Sequence, residues 1–359
     1  MGDYSIQLLR ELTEAHSVPG YEDEVRTLFR THLDGCGEFG SDRNGSVYCR
    51  GDVSETGPNV LVAGHMDEIG FRVQSINSQG FLTFVPVGGW WGHNLLAQRV
   101  VVKSSSGEKI PGVVASKPPH FLGKAERGKV QELDAMFIDV SASSAEEVAS
   151  WGVRVGDPIA PDASFVPARK EGRFIAKSFD NRVGMGGAIE IGKKMLGKTQ
   201  NTLTVAGTVQ EEVGLRGSKT LAYVLRPDVA IVLEGPPADD TPGFDLSTSQ
   251  GVLGKGVQIR LHDPSAIMNP RLAEMTIALA EAENIPHQVT VRRSGGTDAG
   301  GFHLSGPGVP SIVLGVPARY IHSHNGIIDI ADYQAMVELG AKLVEHLTAE
   351  RFSELIQYI

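Results

Sequence analysis

The chain has 359 residues, 41% of them hydrophobic and 21% charged, with 43 glycines and a formal net charge of −10. That length exceeds one ordinary core and predicts two domains, the apolar content excludes general disorder, and the acidic balance argues against nucleic acid as the main partner, because a phosphate-binding surface is usually basic. No apolar stretch reaches the length that spans a bilayer, Met1-Gly2-Asp3-Tyr4 lacks the basic and apolar regions of a signal peptide, and Cys36 and Cys49 read as reduced thiols, so a cytoplasmic protein without a membrane partner is expected.

Residues 4–16 and 21–34 read as amphipathic helices. In the second, Val25, Leu28, Phe29 and His32 or Leu33 recur at helical spacing, and Gly35 and Gly37 end it. A short run rich in β-branched residues, 59–63, reads as a buried strand and leads straight into Gly64-His65-Met66-Asp67. From about 69 to 165 the texture changes to short Val/Ile/Phe runs broken by turn signals such as Ser106-Gly107 and Pro111-Gly112, the pattern of a small all-β module. One short helix is expected there at 144–148, capped by Ser143 or Ser144. From about 172 helices are expected near 181–197, 271–284 and 331–349, with strands at 202–206, 229–233 and 310–314 between them. The simplest architecture is one α/β domain, residues 1–68 and 167–359, interrupted by an inserted β domain at 69–166.

Each of the four apolar runs is followed by acidic or histidine residues: His65 and Asp67, Glu211-Glu212, Glu234, and His322 with His324. Ligands of open α/β sheets bind at the carboxyl ends of strands, so these segments would deliver His, Glu, Glu and His to one rim, a donor set suited to a zinc-type centre. Two divalent ions about 3.5–4 Å apart need a bridging carboxylate. Asp180, at the start of the helix near 181, is the natural bridge, with a plain N-cap as the alternative. Asp67 suits a partner of the other ring nitrogen of His65. Adjacent Glu211 and Glu212 repel each other unless a cation separates their roles, one coordinating and one free as general base; a solvated acidic turn is the bland alternative. Spacing alone does not choose between His322 and His324.

Together, 64–71 (Gly-His-Met-Asp-Glu-Ile-Gly-Phe), 178–182 (Ser-Phe-Asp-Asn-Arg), 210–217 (Gln-Glu-Glu-Val-Gly-Leu-Arg-Gly) and 319–323 (Arg-Tyr-Ile-His-Ser) resemble the M42 family of dinuclear metallo-aminopeptidases, and 117–120 and 152–158 extend the resemblance into the inserted domain. The resemblance implies a mixed-sheet, phosphorylase/hydrolase-like catalytic domain interrupted by a small PDZ-like β-barrel. It also implies two divalent ions, zinc by default with cobalt or manganese as alternatives, held by His65, Asp180, Glu212, Glu234 and His322, with Asp180 bridging. Glu211 becomes the general base and Asp67 the partner of His65. Position 234 departs from the family's usual Asp, and Asn325-Gly326 from its usual proline-containing stretch, which leaves His324 as a candidate substrate contact. The loop 295–300 matches one near the substrate, with Gly296 and Asp298 as candidate contacts and a structural turn as the alternative.

The function implied by this resemblance is that of a metal-dependent aminopeptidase acting on short peptides with a free N-terminus. It would form a homodimer through the inserted domain, extending in this family to a dodecamer. Trp90 and Trp91 suit either that interface or the barrel core. Rival readings are a metal-dependent deacylase or carboxypeptidase on the same scaffold, a glycan hydrolase, against which the histidines argue, and a non-catalytic binding protein.

Overall fold

The computed structural model describes residues 2–359. Helices α1 (Gly2–Glu14) and α2 (Asp23–His32) lead into a hairpin of β1 (Glu38–Ser41) and β2 (Val47–Arg50) and then into β3 (Asn59–His65). Asp23 and Glu24 open α2, and Arg30 and His32 close it, each sign opposing the helix dipole at its end. β3 is apolar and buried from Val60 onward on both faces, as expected of a strand inside a parallel sheet.

After Ile69 the chain leaves this sheet and builds β4 (Gly70–Ile76), β5 (Leu82–Val87), β6 (Arg99–Lys103), β7 (Lys109–Ala115), β8 (Phe137–Asp139) and β9 (Pro158–Pro161). These close into a barrel in the order β4-β5-β8-β7-β6-β9, with β9 paired back onto β4. The alternation of exposed and buried residues along β7 turns Ile110 and Val114 inward, where they join Phe71, Phe84, Val100 and Ile138 in a core separate from that of the sheet. Two short helices lie in this excursion, α3 (Lys124–Arg127) and α4 (Ala145–Ser150). Of the two candidate caps for α4, Ser144 is the one used, its Oγ accepting from the Glu147 N–H at 3.2 Å. The two tryptophans divide: Trp90 packs partly buried against the barrel core, while Trp91 is 62% exposed.

The return to the α/β domain runs through β10 (Val166–Pro167), β11 (Arg173–Ala176), α5 (Phe179–Met195), β12 (Thr202–Thr208), α6 (Arg216–Leu225), β13 (Val229–Glu234), β14 (Val257–Asp263), β15 (Ala266–Ile267), α7 (Pro270–Ala282), β16 (His287–Val291), α8 (Ala299–Phe302), β17 (Ser311–Gly315), β18 (Gly326–Asp329), α9 (Ile330–His346) and α10 (Ala349–Ile356). The main sheet is mixed, in the order β1-β2-β12-β3-β13-β17-β14-β15, with β16 also on β14. Its four central strands, β12, β3, β13 and β17, are parallel neighbours and correspond to the four apolar runs of the sequence. Their register aligns their ends. Thr208 pairs with His65 and Glu234 with Gly315, and Val232 pairs with Ala63, which two residues further on sets Glu234 level with His65.

The start of α5 does not follow the alternative reading of Asp180 as a plain cap. Ser178 is left-handed at φ 58°, and Asp180 and Asn181 lie outside helical φ/ψ, joined by a cis peptide. Asn181 does the capping, its Oδ1 accepting from the Gly184 N–H at 2.9 Å, while its Nδ2 donates to the Leu233 carbonyl at 2.8 Å. The Asp180 carboxylate is thereby left for other partners. A Cβ on Gly64 would sit 2.6 Å from the Gly184 carbonyl carbon and 2.9 Å from the Met185 nitrogen, so only glycine lets α5 lie this close to β3. This contact fixes the approach of Asp180 to the strand that carries His65. Gly64→Ala is expected to destabilise the fold by about 1–3 kcal/mol, the usual cost of overpacking, and to lower the melting temperature; an unchanged melting temperature would show that strand and helix are not in this contact.

Candidate metal centre

The carboxyl ends of the central strands deliver their polar residues to one cleft of about 380 Å³, within the range of small-ligand pockets. The His65 Nε2 lies 3.1 Å from Asp180 Oδ1 and 3.8 Å from both Glu211 Oε2 and Glu234 Oε2. The His322 Nε2 lies 3.4 Å from Asp180 Oδ2 and 3.4 Å from Glu212 Oε2. The two oxygens of Asp180 therefore face two different histidines. Three trios, His65–Asp180–Glu234, Asp180–Glu212–His322 and His65–Glu211–Glu212, each have donor atoms within 4.8 Å of one another.

Both imidazoles are oriented through their other nitrogen. His65 Nδ1 donates to the Asp67 backbone carbonyl at 3.0 Å, nearer than the Asp67 carboxylate at 3.4 Å, and His322 Nδ1 donates to the Gly89 carbonyl at 2.8 Å. Each Nε2 is left free to act as a donor to a metal. The Asp67 side chain has a further task that its sequence position does not reveal. Its two oxygens accept from the backbone N–H groups of Glu211 and Glu212, at 3.0 Å each, and so hold the Glu-Glu turn.

A second polar cluster lies behind the first; Glu68 and Arg182 belong to the motifs at 64–71 and 178–182, but nothing in those motifs pairs them with Lys177. Glu68, Lys177 and Arg182 are all at most 1% exposed. Lys177 Nζ donates to both Glu68 oxygens at 2.7 and 2.6 Å, Arg182 Nη2 donates to Glu68 Oε1 at 3.3 Å, and the Ser178 hydroxyl donates to Glu68 Oε2. Lys177 also donates to the Ala15 carbonyl and Arg182 to that of Leu12, both at 2.9 Å. A buried ion pair persists only when its remaining donors and acceptors are satisfied, and here they are. The cluster ties the segment after β3, which carries Asp67, to the start of α5, which carries Asp180.

Of the three candidate substrate contacts, Gly296 lines the cleft. Asp298 is buried at 1% exposure and accepts from the Thr208 hydroxyl, lying beneath the rim. His324 does not enter the cleft, contrary to expectation. It is 2% exposed, its Nε2 donates to the Arg99 carbonyl at 2.8 Å, and its ring packs 5.7 Å from that of Trp90. Arg260, 4% exposed, also lines the cleft, and no motif singles it out.

Burial and mutual repulsion push Glu211 and Glu234 well above the usual carboxylate range and Glu212 up to about 8. Burial opposes charge on the histidines, but neighbouring carboxylates outweigh it, Glu211 and Asp180 raising His65 well above its ordinary value and Asp180 and Glu212 raising His322 to about 9. Burial pushes Asp180 up as well, and the two imidazoles more than reverse it. Glu212 Oε1 and Glu234 Oε1 are buried without a protein partner. Unpaired carboxylate oxygens beside two oriented imidazoles are the donor set of a divalent transition metal, so the residues fit such an ion.

Parallel strands carrying this donor set at their carboxyl ends form a candidate divalent-metal site. The chain belongs to the M42 glutamyl aminopeptidase family, whose profile matches residues 45–339, and is thus a hydrolase of peptide bonds. The glutamyl aminopeptidase of Lactococcus lactis subsp. cremoris is 35% identical over 357 residues, covering 98% of each chain. The crystal structure of a TET aminopeptidase from the marine sediment archaeon Thaumarchaeota archaeon SCGC AB-539-E09 superposes with a TM-score of 0.95 at 40% identity, covering 99% of each chain. The TET1 peptidase of Pyrococcus horikoshii, which can assemble into a tetrahedron or a large octahedral shell, matches with a TM-score of 0.85 at 29% identity over 96% of this chain and 100% of that one.

The raised carboxyls and histidines bind protons more tightly folded than unfolded, so their contribution to stability is present at low pH and lost as pH rises toward about 8 for Glu212 and about 9 for His322. Chelator-treated protein is expected to melt at a lower temperature at about pH 8.5 than at about pH 6.5, and added Zn²⁺ to raise the melting temperature more at the higher pH, with proton release on binding. Melting curves at both pH values check this; a metal-free protein more stable at the higher pH would contradict it.

Proposed function

We propose that the chain is a two-metal aminopeptidase that removes N-terminal residues from short peptides. The observation that carries this reading is the division of Asp180 between His65 and His322, at 3.1 and 3.4 Å. His65, Asp180 and Glu234 would hold one ion, and Asp180, Glu212 and His322 the other. Zinc is the default on donor type, with cobalt or manganese as alternatives. When bound, such ions polarise a scissile carbonyl and acidify a water molecule.

Glu211 is the general base in this reading. It belongs to neither of the two trios that Asp180 links, it lines the cleft, and its burial gives its carboxylate a strong affinity for a proton. Its Oε2 would accept the proton of the attacking water and return it to the leaving amine. Asp67 holds the Glu211 backbone and so the base's position. A free α-amine has a lone pair that acetylation delocalises into an amide, so in this reading an unblocked N-terminus could be held at the metal site and an acetylated one could not. The length of Glu234 against the family's usual Asp bears on which metal the site prefers. The barrel, PDZ-like in this reading, would form the dimer contact, with larger closed assemblies of the kind described for the TET relatives built from such dimers.

Glu211→Gln is expected to keep the bound metal and to lower turnover by about 10²–10⁴-fold, the usual contribution of a general base. Hydrolysis of an aminoacyl-p-nitroanilide panel beside N-acetylated controls, with metal content measured in parallel, checks both claims. Retained activity in the variant removes Glu211 from the role; cleavage of the acetylated substrates moves the reading to a deacylase.

A further inference from the structure

Of the proposed ligands, His322 has the least support from regular structure. It lies beyond the end of β17 at Gly315, in the loop that leads to β18, and its side chain is 35% exposed, against 1% for His65. Tyr320 and His322 both have left-handed φ, 57° and 56°. Residues with a Cβ hold such values only where their surroundings impose them.

Two sets of contacts do so. At the base of the loop, Arg319 makes a two-point ion pair with Asp240, both hydrogen bonds at 2.7 Å. At the tip both histidines are held by the barrel. His322 Nδ1 donates to the Gly89 carbonyl at 2.8 Å, and His324 Nε2 donates to the Arg99 carbonyl at 2.8 Å while its ring meets Trp90. Trp90 is itself fixed, its indole N–H donating to the Gly70 carbonyl at 3.0 Å and its ring stacking on Phe71 at 4.7 Å. A Cβ on Gly89 would lie 3.2 Å from His322 Nδ1 and 3.4 Å from Cε1, so the barrel backbone approaches the imidazole closely enough that a side chain there would push the ring aside by a few tenths of an ångström.

We infer that the inserted barrel is a working part of the metal centre: Gly89 and His324 are positioning residues that hold His322, and through it the second of the two half-sites. This rests on the two-ion reading proposed above. Donation from Nδ1 to a fixed carbonyl sets the tautomer and the ring plane, leaving the Nε2 lone pair aimed between Asp180 and Glu212. His324, expected to meet substrate, instead anchors the loop from its far side. The first half-site shares Asp180 with the second, but its own histidine, His65, sits on a strand end and is oriented by the Asp67 carbonyl rather than by the barrel.

The test titrates the chelator-stripped full chain with Co²⁺, reading equivalents and affinity by calorimetry and the visible absorption of bound Co²⁺. Wild type and the barrel-surface control Gly128→Ala are expected to bind two equivalents. Gly89→Ala, whose new Cβ would press on the His322 ring while keeping the carbonyl, and His324→Leu, which removes the anchor of the loop, should bind the first as wild type does and the second about 10–100-fold more weakly, the range seen when the outer contacts of a metal-bound histidine are disturbed. His324→Gln, which keeps a donor, should recover most of the loss. If His324→Leu fails to fold, Gly89→Ala, whose backbone needs no left-handed φ, decides alone. Wild-type affinity for both equivalents in Gly89→Ala, or equal weakening of both, overturns the inference. Fewer than two equivalents in wild type overturns the two-ion reading and this inference with it.

Discussion

The constraint on which this structure turns is the burial of four carboxylates that repel one another. Asp180, Glu211, Glu212 and Glu234 share a cleft in which donor atoms of each trio lie within 4.8 Å of one another, a separation at which two like charges cost roughly 3 kcal/mol at an effective dielectric constant near 20. Side chains left to themselves would turn away into solvent. They are kept inward because each is attached to something that cannot move: Glu234 to the end of a doubly buried strand, Glu211 and Glu212 to the Asp67 carboxylate through their own N–H groups, Asp180 to a segment wedged against β3 and tied to Glu68 through Lys177 and Ser178. Repulsion between rigidly held anions is what makes the site bind protons or cations strongly.

Charge compensation is accordingly layered. The outer layer, facing the cleft, includes two oxygens buried without any protein donor. The inner layer, Glu68 with Lys177 and Arg182, is satisfied on all sides by charges and backbone carbonyls. The first layer is poised to react and the second to resist change. Their adjacency in sequence, Asp67 next to Glu68 and Asp180 two residues before Arg182, means that two short segments each serve both purposes.

Much of this is legible in the sequence where local pattern suffices. The four apolar runs announce the central strands, and the polar residues that follow them fall on one rim because parallel strands end on the same side. Asp180 resembles a cap because Asp and Asn are equally good caps in isolation, and only the backbone path before Gly184 assigns the task to Asn181. The hold of Asp67 on Glu211 and the pairing of Glu68 with Lys177 cross 144 and 109 residues, and no spacing rule reaches that far. His322 and His324 are indistinguishable by spacing, since both sit in the same loop and differ only in what each ring meets. The strands β1 and β2 of the first hairpin, four residues each, are too short to stand out.

The aligned ends of β3, β12 and β13 also govern which changes of length the chain can absorb. A residue gained or lost inside one of these strands would move its terminal ligand by about 3.3 Å and turn the side chains beyond it to the opposite face. The same change in the connection from Lys117 to Gln131, between β7 and β8 of the barrel, alters no register at all. Length variation among descendants of this sequence is therefore channelled into the barrel's loops, while the strands that end at the rim behave as fixed rulers.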